Sequence, residues 1–180
     1  MPKVLLPLAN GFEEIEALSI VDVLRRANIE VVTAAIDKKQ VIGAHNIRVQ
    51  ADTHILDVKS TDFDMIVLPG GLPGATNLQK DENVKRLLQE FNNDKKYIGA
   101  ICAAPIALKS AGVLKSAYTC YPSFEDNIGK DGYISDKDVV SDENVITSRG
   151  PATAMKFALV IVEKLCGEKL ASDVKQQLLL

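Results

Sequence analysis

The 180-residue chain has no tryptophan, two histidines and three cysteines. Cys102, Cys120 and Cys166 are odd in number and widely spaced, which excludes a disulfide framework and gives no metal-ligand spacing. A reducing cytoplasm is the natural compartment for such cysteine usage. There is no basic block, and the net charge is −3, which argues against nucleic acid as the main partner. No apolar run approaches a membrane span; the longest, Phe157 to Val162, reads as a core segment. The start, Met1-Pro2-Lys3, leads straight into a short apolar strand and carries no signal-peptide pattern. What is present is a soluble globular composition, 47% hydrophobic and 25% charged, in a length that suits one domain spanning residues 1–180.

The central stretch is Tyr97-Ile98-Gly99-Ala100-Ile101-Cys102-Ala103-Ala104-Pro105. Tyr97 to Ile101 reads as a buried strand. Ala103 to Ala111 reads as a helix, with Pro105 in its first turn and Gly112 at its end. Cys102 falls at the sharp junction, against the positive end of the helix and its unpaired N–H groups. Those features favour a thiolate, in the geometry of a nucleophile elbow. A cysteine after a strand is also commonly a plain buried residue. This stretch alone leaves both readings open.

Taken in order, Val4 to Leu8 predicts a first strand and Asn10-Gly11 a turn. Asn10 is expected to cap the next helix, with Glu13 as its reciprocal partner, over Phe12 to Ala27. Strands are expected at Glu30 to Ile36, Asp64 to Leu68 and Asn144 to Thr147, a small hairpin within Asp37 to Ala51, and helices at Glu82 to Phe91, Ala152 to Cys166 and Lys169 to Leu179. Tyr118 to Asp142 reads as a charged surface excursion with one or two short strands. Strands alternating with helices imply a mostly parallel sheet covered on both faces. Ligands bind beyond the carboxyl ends of such strands. Four loops lie there: Asn10-Gly11, Gly70-Gly71, Cys102-Ala103 and Arg149-Gly150-Pro151.

On the first helix, at about 100° per residue, Glu14 and Arg25 share a side that can face water. Glu16 instead lies among Phe12, Ile20, Val23 and Ala27, in the middle of an apolar face. A carboxylate there must find a partner or keep its proton; the alternative is a solvated charge near a helix start. Burial would let Glu16 donate a hydrogen bond to a thiolate, and the two groups would titrate together. Ile15, Leu18 and Val21 cover the far side of the same helix. Either a second copy of the chain or the chain's own hairpin has to cover them.

The segments Asn10-Gly11-Phe12-Glu13-Glu14-Ile15-Glu16, Leu68-Pro69-Gly70-Gly71, Ala100-Ile101-Cys102-Ala103-Ala104-Pro105 and Thr147-Ser148-Arg149-Gly150-Pro151 together resemble the ThiJ/PfpI superfamily, in its DJ-one branch. The resemblance runs from the first strand to about Lys175. It implies an α/β, flavodoxin-like three-layer sandwich, usually a homodimer, that needs no cofactor or metal. It implies Cys102 as a reactive nucleophile with Glu16 as its acidic partner. The N–H groups of Gly71 and Ala103 would form an oxyanion-binding pair, and Gly70 and Pro151 would line the pocket. Arg26 matches a basic residue near the interface and site. One departure stands out: Tyr121 occupies the position of a pocket histidine, and a phenol of reference pKa about 10 is a poor base near neutrality. His45 and His54 lie far before the elbow, and no histidine follows Cys102, which weighs against a Cys–His amidotransferase or peptidase.

The resemblance implies a glyoxalase or deglycase acting on 2-oxoaldehydes such as methylglyoxal, or on their early adducts with protein or nucleotide. The alternative it implies is a redox sensor or redox-regulated chaperone working through oxidation of Cys102 to a sulfinate. A nucleotide-binding module fits poorly, because Gly70-Gly71-Leu72-Pro73-Gly74 lacks dinucleotide spacing and Pro73 removes an N–H.

Overall fold

The computed structural model describes residues 1–180. The chain runs β1 (Lys3–Leu8), α1 (Glu14–Arg26), β2 (Glu30–Ala35), β3 (Gln40–Ile42), β4 (Arg48–Gln50), β5 (Thr53–His54), β6 (Met65–Leu68), α2 (Gly74–Lys80), α3 (Glu82–Asn93), β7 (Tyr97–Ile101), α4 (Pro105–Ser110), α5 (Glu125–Ile128), β8 (Val139–Asp142), β9 (Val145–Ser148), α6 (Ala154–Cys166) and α7 (Glu168–Gln177). Seven strands form one sheet in the order β5-β2-β1-β6-β7-β9-β8; β3 and β4 pair separately as a hairpin. All neighbours are parallel except the edge pair β8–β9. The inner order, β2-β1-β6-β7-β9, is that of a flavodoxin-like doubly wound sheet.

Alternation along the strands divides the core. Val4, Leu6, Leu8, Met65 and Val67 pack with residues of α1, α6 and α7. Leu5, Ile66, Leu68, Ile98 and Ala100 pack with residues of α2, α3 and α4 on the opposite face. Period-2 side-chain placement makes both faces apolar, so these strands are unbroken apolar runs. Gly99 is small for a packing reason: a Cβ there would lie 2.9 Å from Met65 Cε and 3.1 Å from Phe157 Cζ.

Pro7 helps to open the sheet where the site lies. Lys3 O accepts from Asp64 N, so by alternation Lys3, Leu5 and Pro7 address β6. Pro7 has no N–H to give. The β1–β6 ladder stops at Leu5–Ile66, whereas the β1–β2 ladder continues to Leu8–Ala35. The crevice between β1 and β6 is also where strand order reverses, the usual place for a ligand in such sheets.

Three expectations need correction. α1 begins at Glu14, and its cap is Glu13, whose carboxylate accepts from Ile15 N at 3.4 Å. Asn10 instead reaches the hairpin, with Oδ1 accepting from Ile42 N at 2.9 Å. Glu14 is buried rather than facing water. It accepts from the His45 and Ile47 amides, at 2.7 and 3.4 Å, and contacts His45 Nδ1 at 2.8 Å. A helical wheel misses this because the occupant of that side is a hairpin some thirty residues away. Finally, the excursion is not all surface: Tyr118, Thr119 and Cys120 are buried. No helix is long and apolar enough to cross a membrane.

Candidate active site

The carboxyl ends of β1, β6, β7 and β9 bring the four expected loops together. Cys102 leaves β7 in the left-handed region, at φ +64°, which is unfavourable for a non-glycine residue and turns the chain sharply. Two backbone hydrogen bonds hold this turn. Cys102 N donates to Ser148 O at the end of β9, and Tyr121 N donates to Cys102 O, each at 2.9 Å. Pro105 then opens α4 at its first position, where its missing N–H costs nothing. The sidechain of Cys102 is largely buried, at 8% exposure.

Glu16 is fully buried on α1. Its Oε2 accepts from Gly70 N at 2.7 Å, and its Oε1 has no partner. Gly70 is needed at this point because a Cβ there would lie 2.6 Å from Cys102 Cβ and 2.8 Å from Glu16 Oε2. The glycine is therefore the spacer that lets thiol and carboxyl share one small space. Burial pushes the Glu16 carboxyl up to about 7, against the hydrogen bond from Gly70, and the nearby Glu13 charge adds to the rise.

At Cys102 two influences oppose the expected thiolate and two favour it. Burial first, and the Glu16 charge second, push its thiol above the usual range. The Gly71 and Ala103 N–H groups, both directed at the sulfur, oppose this without overcoming it. Neither N–H donates to a backbone carbonyl. Gly71 has φ +86°, and a Cβ there would meet Glu13 N at 2.3 Å. The chemical unit is thus a coupled thiol–carboxyl pair that sheds its first proton near neutrality, facing two free backbone donors.

The remaining expected residues divide. Tyr121 and Pro151 line one open cavity of about 280 Å³ at the mouth, with the Tyr121 ring edge 3.2 Å from where a Gly150 Cβ would sit. Within one chain, Arg26 lies away from Cys102 and Glu16. It pairs with Asp22 at 2.7 Å, at the opposite end of α1 and about 15 Å along the axis from Glu16. The ligand-type side chains that converge elsewhere are Glu13, Glu14 and His45, whose atoms lie within 4.8 Å of one another. Their contacts are those of a clasp: the Glu14–His45 hydrogen bond raises the His45 pKa, while Glu14, despite burial, is held low by His45 and three backbone amides. Sequence reasoning missed that clasp; it placed Arg149 in a candidate loop without giving its side chain, which shares the mouth cavity, a role.

Fold and site together define a doubly wound α/β protein with a cysteine elbow beside a buried carboxyl. The chain belongs to the DJ-1/PfpI family, whose model matches residues 2–164. Drosophila melanogaster DJ-1beta is 40% identical over 96% of this chain and 94% of its own. Its crystal structure superposes with a TM-score of 0.95, covering 99% of this chain and 98% of that one. A Caenorhabditis elegans relative, glutathione-independent glyoxalase DJR-1.2, is 37% identical over 98% of this chain and 95% of its own. Toxoplasma gondii DJ-1, in an oxidized form, is 37% identical with a TM-score of 0.95, covering 99% of this chain and 98% of that one. The chain spans only 41% of Arabidopsis thaliana DJ-1 homolog B, to which it is 36% identical over 99% of its own length.

Proposed function

We propose that the protein is a cysteine-dependent, cofactor-independent glyoxalase of the deglycase type, acting on 2-oxoaldehydes or their early adducts and protecting against carbonyl stress. The observation that carries this reading is the Cys102–Glu16 pair with the free Gly71 and Ala103 donors at the sulfur. A relative carrying the name of a glutathione-independent glyoxalase supports it.

With methylglyoxal the steps balance as an isomerisation followed by hydrolysis. Glu16 carboxylate takes the thiol proton, the sulfur attacks the aldehyde carbon, and the same proton passes to the new alkoxide oxygen, giving a hemithioacetal and leaving Glu16 ionised. The Gly71 and Ala103 N–H groups receive the oxygen that gains charge. Glu16 removes the proton from the carbon bearing sulfur, and a proton returns to the neighbouring carbon, leaving a thioester of the hydroxy acid. Water then cleaves the C–S bond, releasing lactate and the thiol. Tyr121, 47% exposed at the mouth, can orient substrate by its hydroxyl. Glu16→Gln tests the assignment: turnover is abolished while Cys102 stays alkylatable, and retained turnover would contradict it.

A second reading rests on the unpartnered Glu16 Oε1. When protonated, the Glu16 carboxyl can donate to a sulfinate on Cys102, so the same pocket suits a peroxide sensor. The oxidized form of the Toxoplasma relative supports this reading.

We also place the protein in the cytoplasm, since its three cysteines are free, and as a homodimer. Ile15, Leu18 and Met155 are exposed apolar residues, and Ile15 and Met155 line a groove of about 710 Å³ along α1, α6 and α7 that also takes Leu180. Sedimentation as a monomer at micromolar concentration would dispose of the dimer.

A further inference from the structure

Arg149 follows Ser148, whose carbonyl holds the Cys102 amide, and so it stands directly beside the elbow. Its side chain is half-buried and lines the mouth cavity with Tyr121, Pro122, Gly150 and Pro151. The guanidinium makes no ion pair within 4.0 Å, and its Nε is buried without a partner. An arginine offers five N–H donors in a planar fork, and a half-buried one that is left unmatched is costly.

The acidic groups around it do not claim it. Asp138, whose carbonyl accepts from Arg149 N, has its carboxylate committed to Lys156 Nζ at 2.9 Å. Glu125 acts, as Arg149 does, on Cys120 and Tyr133, but its Oε2 is unpartnered and it forms no ion pair with Arg149 within 4.0 Å. Two prolines wall the cavity, and Gly150 leaves room against the Tyr121 ring. A half-buried guanidinium without an ion pair, lining an open cavity beside the elbow, suits an anionic group on a ligand.

We propose that Arg149 forms an anion subsite at the mouth of the Cys102 pocket, selecting 2-oxoaldehydes that carry a carboxylate or a phosphate on the end remote from the aldehyde. The substrate class rests on the glyoxalase reading above; the anion subsite does not. An aldehyde held at the sulfur sends its tail outward, past Tyr121 and Pro151, and a tail oxygen can accept from the guanidinium. Arg149 is thus a specificity-determining residue that acts on binding, without a role in the proton transfers.

Two readouts separate the subsite from the activity. The first is thermal unfolding of the full-length protein in inorganic phosphate, with chloride of equal ionic strength as control, for wild type, Arg149→Met and Arg149→Lys. Phosphate should raise the wild-type Tm, leave Arg149→Met unmoved and raise Arg149→Lys by an intermediate amount. A ligand at one hundred times its Kd stabilises by about 2.7 kcal/mol. The second is kcat/KM for hydroxypyruvaldehyde phosphate and for 4,5-dioxopentanoate, each divided by that for methylglyoxal. Both ratios should fall at least ten-fold in Arg149→Met through KM, with partial rescue by Arg149→Lys; loss of one ratio alone identifies phosphate or carboxylate as the recognised tail. No phosphate response in wild type, or an equal response in wild type and Arg149→Met, would overturn the subsite. If wild type turns over none of the aldehydes while the phosphate response is specific, the glyoxalase reading fails and the subsite stands. Should Arg149→Met not fold, Arg149→Gln carries the comparison.

Discussion

Glu16 and Gly70 are joined by a 2.7 Å hydrogen bond from the Gly70 amide to Oε2, which fixes the carboxyl of α1 against the loop after β6. The other oxygen has no hydrogen-bond partner, and the carboxyl as a whole interacts with Cys102. This one bond links the first helix, the β6 loop and the elbow, and most of the site's expected behaviour follows from it.

The pair should show its first ionisation near neutrality. Below pH 7 both thiol and carboxyl are protonated, and no base is available. As pH rises through about 7, Glu16 ionises and can accept the thiol proton. The rate of Cys102 alkylation by iodoacetamide should therefore rise with pH around a midpoint near 7. In Glu16→Gln that step should vanish. A wild-type midpoint that survives in the variant would assign the titration elsewhere.

Stability should carry the opposite sign. The folded-state pKa of Glu16 lies above its unfolded value of 4.5. The contribution is fully present below pH 4.5 and is lost as pH rises through about 7, because the folded state then holds a proton that the unfolded chain has released. The expected loss is about 3 kcal/mol. Urea unfolding of wild type and Glu16→Gln at pH 5 and pH 8 should show the wild type losing ground to the variant at the higher pH. Parallel behaviour of the two would contradict burial of an ionisable carboxyl.

Gly70→Ala should damage both activity and stability. The added Cβ would fall 2.6 Å from Cys102 Cβ and 2.8 Å from Glu16 Oε2, and both of these belong to well-packed neighbours. Overpacking of this kind costs about 1–3 kcal/mol. Calorimetry and turnover measured together should register both losses. An active, undisturbed Gly70→Ala would mean that the carboxyl and thiol are less tightly held than described.

The clasp at the start of α1 predicts a purely structural effect. Glu14→Ala strips the acceptor from the His45 and Ile47 amides and from the His45 ring. Hydrogen bonds to a charged acceptor are worth about 1.5–3 kcal/mol, and these are part-buried. In a chain of this size each kcal/mol moves Tm by about 2–4 °C. Differential scanning calorimetry should find that loss, and hydrogen exchange should place it at residues 40–50.

Peroxide should discriminate among the cysteines. Cys102 lies at the pocket with 8% exposure, whereas Cys120 is completely buried. Peptide mass mapping after mild peroxide should find sulfinate on Cys102 with Cys120 reduced. Equal oxidation of both would remove the sensor reading.

The sequence announced those parts of the fold whose signals are local. Unbroken apolar runs marked β1, β6 and β7, since strands buried on both faces leave no polar positions. Cys102 was legible because a strand, a cysteine and a helix beginning near Pro105 can meet only in a sharp turn. Glu16 was legible because three turns of helix placed it among apolar neighbours. What was hidden depended on distant partners. Glu14 looked solvent-facing until the β3–β4 hairpin covered it, and Asn10 looked like a cap until Ile42 took its oxygen. Burial beside a carboxyl opposes the thiolate expected at the helix start, a cost that only packing reveals. Arg149 looked like part of a turn motif; its lack of any partner could be seen only with every acidic side chain in place.

The most direct test of the central claim is lactate formation from methylglyoxal, without glutathione, by wild type and by Cys102→Ala. The account predicts lactate from wild type and none above background from the variant. Equal lactate from both, or none from a wild type whose Cys102 is still selectively alkylated, would contradict it.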